Sequence, residues 1–236
     1  MIPLGVLAGS RHVATGGATS IAPNEFADLN IWLDSLTLSG ADASDVTSWD
    51  SSGTSYNYTS RVGLAAPKLT LNHTNPAVRF TGAEVLVDVG GKQGVGGPQT
   101  FFVVGTKASS LSKRIVGVAG TGLVLTIDAQ QNPVGGVYGG NWATAESPES
   151  VPLNTLFLAG VRFVPSTSLE VFYNGVWTLG ATPTTLSNDR AFAVGGYAAT
   201  TPEWIGDIGE FVHVRKALDA TEAEGLVSYL ENKWGI

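Results

Sequence analysis

The chain has no cysteine in its 236 residues, which excludes disulfides, thiolate catalysis and thiolate metal sites together. The fold must stand on packing. Charge is also scarce: Lys, Arg, Asp and Glu make up 14% of the residues, acidic side chains outnumber basic ones 20 to 13, and the net charge is −7. No basic field is present to hold a phosphate backbone, so nucleic acid is not expected as a partner. His12, His73 and His213 are scattered without ligand spacing, so no zinc site is expected. There is no G-x-S-x-G nucleophile elbow. The stretch GGKQGVGG at 90–97 has the glycines of a phosphate loop but not their order, and reads as a plain loop. Long apolar runs are missing too. The opening MIPLGVLAGS carries no basic leader and is too short to span a bilayer, so neither a secretion signal nor membrane insertion is expected.

What is present is 43% hydrophobic residues, enough for a sizeable core in one domain. From NIWLD onward, short β-branched and aromatic runs recur between clusters of Gly, Pro, Asn and Ser: PAVRF, EVLVDV, TFFVVGT, RIVGVAG, LVLTID, LFLAGVRFV, LEVFYNG, AFAVGG and IGEFVHV. The pattern is all-β. Asn174-Gly175 between two apolar-aromatic segments predicts a hairpin over 169–179. Strands this numerous indicate a two-sheet sandwich or a barrel. Near the end the period changes, with Leu226, Val227, Leu230 and Trp234 forming a helical stripe and Thr221 and Glu224 spaced as a capping box. A helix of about three turns is predicted there, and Gly225 within it implies that packing outweighs propensity. Residues 1–28 have no sustained period and read as an extended arm, leaving 29–236 as the packed domain.

Two carboxylates in GDIGEFVHV, Asp207 and Glu210, are the obvious candidates for acid-base chemistry. In a regular strand side chains alternate, so residues three apart point to opposite faces and cannot flank one glycosidic bond. Glu210, on the parity of Ile208, Val212 and Val214, is expected at the edge of an apolar face as a structural anchor that needs a partner. Asp207 reads as a strand-start residue, with calcium ligation as the lesser alternative and no other cofactor expected. Aromatics among polar residues are the candidates for carbohydrate binding: Trp49, Tyr56 and Tyr58 in SWDSSGTSYNYTS, and Tyr138 and Trp142 in GGVYGGNWATAESPES, read as a long polar loop. For the first three, packing a loop onto the sandwich edge is the favoured reading.

Several segments resemble the concanavalin A-like lectin/glucanase superfamily in its laminin-G-like branch. IWLD followed by TSWDSSG resembles the opening strand and turn, although Asp50 directly follows Trp49 where the branch separates the two. PAVRFTG, LEVFYNGVW, FAVGGY and the closing segment from Ile205 to Ile236 follow in the branch's order over 29–236. The resemblance implies an antiparallel two-sheet jelly-roll sandwich with an extended N-terminal arm and one short C-terminal helix. The short arm and overall composition are also similar to virion proteins of long-tailed bacteriophages. That likeness implies a non-enzymatic virion protein, made in the host cytoplasm and carried on the tail rather than the capsid surface. Such a minor tail protein presents its lectin-like domain to the host surface; a carbohydrate-binding module and a capsid decoration protein are the alternatives. Its expected partners are other virion subunits, including copies of itself, and a host-surface glycan. Ile2, Leu4, Val6 and Leu7 are the arm residues expected to dock on a neighbouring subunit.

Overall fold

The computed structural model describes residues 19–61, 63–88, 96–111, 113–118, 122–138, 142–183, 191–198 and 201–236. The arm residues Ile2, Leu4, Val6 and Leu7, and His12, lie outside these. The first strands are β1 (Leu29–Asp34), β2 (Ser48–Asp50), β3 (Asn57–Ser60), β4 (Lys68–Thr70), β5 (Ala77–Thr81) and β6 (Leu86–Val87). They are followed by β7 (Gln99–Lys107), β8 (Lys113–Val118), β9 (Leu123–Ile127), β10 (Pro133–Tyr138), β11 (Trp142–Glu146) and β12 (Leu156–Val164). Next come β13 (Ser168–Tyr173), β14 (Val176–Leu179), β15 (Phe192–Val194), β16 (Gly196–Ala198), β17 (Thr201–Pro202), β18 (Ile205–Val214) and the helix α1 (Ala220–Trp234).

The strands form the expected antiparallel jelly-roll sandwich. One sheet has the order β14-β13-β12-β7-β18-β5-β4, with β1 also paired to β18; the other runs β11-β10-β9-β8-β15-β6-β3-β2. We call the first the helix-side sheet and the second the open sheet. Between them lies the main core, where Phe101, Phe192 and Phe211 meet edge-to-face with ring centroids 5.5–5.9 Å apart. The hairpin over 169–179 forms as the sequence indicates, with Asn174 at φ 49° and Gly175 at φ 80° supplying the turn.

The outer face of the helix-side sheet is covered by α1. Phe102, Val104, Leu158, Phe172, Val212 and Val214 pack there against Leu226, Leu230 and Trp234, so the predicted stripe is the buried one. The helix runs 15 residues, about four turns rather than three. Its cap is not Thr221 with Glu224. The Asp219 side chain accepts from the Glu222 backbone N–H, and Glu222 accepts from that of Asp219, because the helix starts two residues earlier and Asp caps as well as Thr. Gly225 has a packing reason: Ile21 N–H donates to its carbonyl at 3.0 Å, and a Cβ there would lie 2.5 Å from the Ile21 side chain. The packed body therefore begins near Ile21, before the boundary at residue 29, with Phe26 also on this outer core. Among the described residues no helix is long and apolar enough to cross a membrane.

His213 faces the main core and is wholly buried. Its Nδ1 is 2.8 Å from Asn30 Nδ2 and its Nε2 is 3.0 Å from Gln99 Oε1, which suits a neutral ring accepting at Nδ1 and donating from Nε2. Burial, with the Arg215 charge adding to it, pushes its pKa down to about 3. Between that value and the unfolded value near 6.5 the unfolded chain binds a proton that the native chain refuses. Stability must therefore fall as pH drops from 7 toward 5, by up to about 1.4 kcal/mol per pH unit from this group. Chemical denaturation at pH 7 and pH 5.5 should show the loss in the wild-type protein and a clearly smaller one in His213→Gln.

Candidate functional site

Asp207 and Glu210 lie on one face of β18, not on opposite faces. The pairing of β18 with β7 shifts register between Ile208 and Glu210, so Gly209 is a bulge that restores the parity three positions would otherwise reverse. Ile208 points into the main core, while Asp207 and Glu210 both point outward with Val212 and Val214. The bulge falls where β18 exchanges β5 for β1 as its neighbour. A Cβ on Gly209 would lie 2.2 Å from the Trp234 ring, so only glycine lets the helix approach this closely.

Neither carboxylate is open to a substrate. Glu210 is 0% exposed and accepts from Trp32 Nε1 and Trp234 Nε1, both at 2.7 Å, while Lys233 Nζ sits 2.9 Å from it and 2.8 Å from Asp34. Burial pushes the Glu210 carboxyl up, against the pull of Lys233 and the Trp234 indole. Burial likewise opposes the Lys233 charge, but Glu210 and Asp34 outweigh it and hold the ammonium above its usual pKa. Asp207 is held by Arg79 Nε at 2.8 Å, Arg79 Nη2 at 3.0 Å and His73 Nε2 at 2.7 Å. Burial alone would raise its pKa, and the hydrogen bonds from Arg79 and His73 reverse that and lower it. Arg79 reaches both oxygens of Asp207, so in this structure the residue forms an ion pair across β5 and β18. Among the described residues no group of three His, Asp or Glu is placed to hold a metal ion.

The five aromatic candidates separate. Trp49 and Tyr58 are a cross-strand pair whose side chains are 0% exposed in the main core, so they cannot stack on a sugar. Polar neighbours made the segment look like a loop, but alternation in the short strands β2 and β3 turns these two rings inward. Tyr56 packs partly buried against that core, with its hydroxyl 3.2 Å from Arg215 Nη2. Tyr138 and Trp142 are not in a loop. They face each other across the β10–β11 hairpin, ring centroids 5.4 Å apart, on the outer face of the open sheet.

No helix covers that face among the described residues. Val137, Ala143 and Ala145 point into the core, so Gly136, Tyr138, Trp142 and Thr144 point out, joined by Val124 and Thr126 of β9. Trp142 is 48% exposed, and a Cβ on Gly136 would lie 3.0 Å from its ring, so the indole lies against bare backbone. At the other end of the face Tyr197 lies over Gly117, whose Cβ would be 3.3 Å from the ring. The Arg114 guanidinium stacks 4.4 Å above Tyr197, and its Nη1 pairs with Glu203 Oε1 at 2.6 Å. Between the two ends is a depression of about 510 Å3, lined by Trp142, Thr144, Thr126, Arg114, Asp128 and Glu203 among others. This is the candidate site: an exposed ring on a flat floor, with hydroxyls and charged groups within its span. Arg114, Glu203 and Tyr197 had no signal in the sequence, because they come from separate segments that meet only in the fold.

Two other depressions are less suited. The one beside His73 and Arg79, about 430 Å3, has its polar groups committed to the Asp207 ion pair. The one lined by Ser39, Ser44, Asp45 and Asp50, about 370 Å3, has no aromatic ring, and its carboxylates are engaged by Lys68 and Asn57.

No protein-family model and no curated protein sequence matches the chain. Its fold is similar to that of several solved structures. Domain 4 of AbnA, a GH43 extracellular arabinanase from Geobacillus stearothermophilus solved in complex with arabinotriose, gives a TM-score of 0.63 at 15% identity, over 86% of this chain and 98% of that one. The binding domain of botulinum neurotoxin DC in complex with SialylT gives 0.63 at 11% identity, over 90% of this chain and 52% of that one. Trypanosoma rangeli sialidase gives 0.60 at 16% identity over 88% of this chain, which spans only 33% of the sialidase. At these identities the likeness establishes a shared β-sandwich fold.

The Glu210 cluster yields a direct test of anchoring. Glu210→Gln removes the charge that Lys233 and two indoles surround, and should cost about 3 kcal/mol of stability, as breaking a buried pair does. Urea denaturation reads it; an unchanged midpoint would show that the carboxylate has some other role.

Proposed function

We propose that this protein is a non-catalytic carbohydrate-binding module that reads its ligand on the outer face of the open sheet. The observation that carries the proposal is the Trp142 ring, half-exposed against Gly136 with Tyr138 beside it, Thr144 on the same strand and Thr126 on β9. A flat aromatic surface takes the apolar face of a sugar ring, and neighbouring polar groups take its hydroxyls. The neighbours solved with arabinotriose and with SialylT support this reading, being β-sandwich domains of the same fold that hold such molecules. The engagement of Asp207 and Glu210 by cationic and indole groups supports a binding rather than a hydrolytic role.

The proposal extends to setting. Following the sequence resemblance, we assign the module to a bacteriophage virion, on the tail in preference to the capsid, contacting host-surface glycan while Ile2, Leu4, Val6 and Leu7 dock on a neighbouring subunit. Binding of the purified domain to a glycan array tests the first part. Trp142→Ala should weaken any binding by about 2 kcal/mol, roughly thirtyfold, while leaving the unfolding midpoint near that of the wild type. Removal of residues 1–18, which spares the Ile21 contact, should leave a folded domain that does not enter particles. Incorporation at wild-type level would eliminate the arm as the tether.

A further inference from the structure

We infer that the ligand of the open face is a neutral oligosaccharide, and that Glu203 makes it so by cancelling the charge of Arg114. The inference rests on the carbohydrate-binding reading above and narrows it. Among the described residues four charged side chains line the depression: Lys113, Arg114, Asp128 and Glu203, two of each sign. The site therefore has no net charge, in a chain whose own net charge is −7. An acidic sugar would leave water for a place with no surplus positive charge on a protein that repels it.

The arginine that would otherwise attract a carboxylate is the one most firmly neutralised. Glu203 Oε1 lies 2.6 Å from Arg114 Nη1, and Glu203 Oε2 accepts from the Arg114 backbone N–H at 3.2 Å, so one carboxylate grips the residue at both ends. The guanidinium plane is fixed from another side by Tyr197. Such a pair still serves a sugar well. A guanidinium edge donates to a hydroxyl and a carboxylate oxygen accepts from the next, so vicinal hydroxyls are matched without net charge. Thr126, directly opposite Arg114 in the register, adds a hydroxyl to the same row. Arg114 is on β8 and Trp142 on β11, three strand spacings or about 14 Å apart across the sheet. One monosaccharide does not reach from the ring to the ion pair, whereas a short oligosaccharide does.

The test uses the whole chain on an immobilised panel of neutral, carboxylated and sulfated oligosaccharides, followed by titration of the best neutral and best acidic members at about 0.02 and 0.3 M salt. Neutral members should bind, with affinity that salt changes less than twofold. Glu203→Gln keeps the shape of the pair and removes its negative charge. It should raise the ratio of acidic to neutral affinity about tenfold at low salt, an effect that high salt suppresses. Wild-type preference for acidic members, with affinity falling as salt rises, would overturn the neutral-ligand assignment while leaving the binding reading intact. An unchanged ratio in Glu203→Gln would overturn the role given to Glu203. Binding to no member of the panel by wild type or variant would overturn the binding reading itself, and this inference with it.

Discussion

The buried carboxylate of Glu210 ties the helix to the sandwich, and which sheet the helix leaves uncovered follows from that. Its oxygens meet Trp32 of β1, Trp234 of α1 and Lys233 of α1, so three elements far apart in sequence are registered on a single group. Taking a carboxylate and an ammonium out of water is expensive, and their attraction barely offsets the loss. The bulk of the stability on this side must come from Phe102, Val212, Leu226, Leu230 and their apolar neighbours. The charged cluster instead selects one position of the helix among the many that an apolar face would accept. Once that helix is in place the outer face of its sheet is occupied, and among the described residues no helix covers the outer face of the open sheet.

Glycine inside strands is the second constraint. Gly135 faces inward, where a Cβ would come within 3.1 Å of Val161, while Gly136 faces outward beneath Trp142. Gly160 and Gly117 do the same beneath Phe102 and Tyr197. Gly136 and Gly160 forgo a side chain so that a ring from the neighbouring strand can lie against backbone, Gly135 does so for Val161 of the facing sheet and Gly117 for Tyr197 of β16. The cost in strand propensity is offset where the ring so seated is buried, as Phe102 is against Gly160.

This habit also explains which parts of the molecule were legible in sequence. The Asn174-Gly175 hairpin and the Leu226, Val227, Leu230, Trp234 stripe were, since turn chemistry and helical period are local properties. The segment around Tyr138 and Trp142 resembles a loop in sequence because its glycines carry the signature of turns, whereas Gly136 permits close approach of the Trp142 ring across strands. The relation of Asp207 to Glu210 is hidden for a related reason: a bulge at Gly209 changes parity, and the Trp234 ring that leaves no room for a side chain there lies 25 residues further along the chain. The inward turn of Trp49 and Tyr58 is not legible because their strands are too short to show alternation among polar neighbours. The Arg114, Tyr197 and Glu203 group was beyond reach altogether, since strand order, not spacing, brings it together.

The arrangement has a directional consequence. The chain reaches the described domain at Ile21, which docks on Gly225 of α1, and so enters on the outer side of the helix-side sheet. Trp142 and Arg114 lie on the outer side of the other sheet, with two sheets and their shared core of about 10 Å spacing between. Among the described residues, the chain entry at Ile21 and the candidate face around Trp142 thus lie on opposite sides of the sandwich, one closed by the helix and the other covered by no helix.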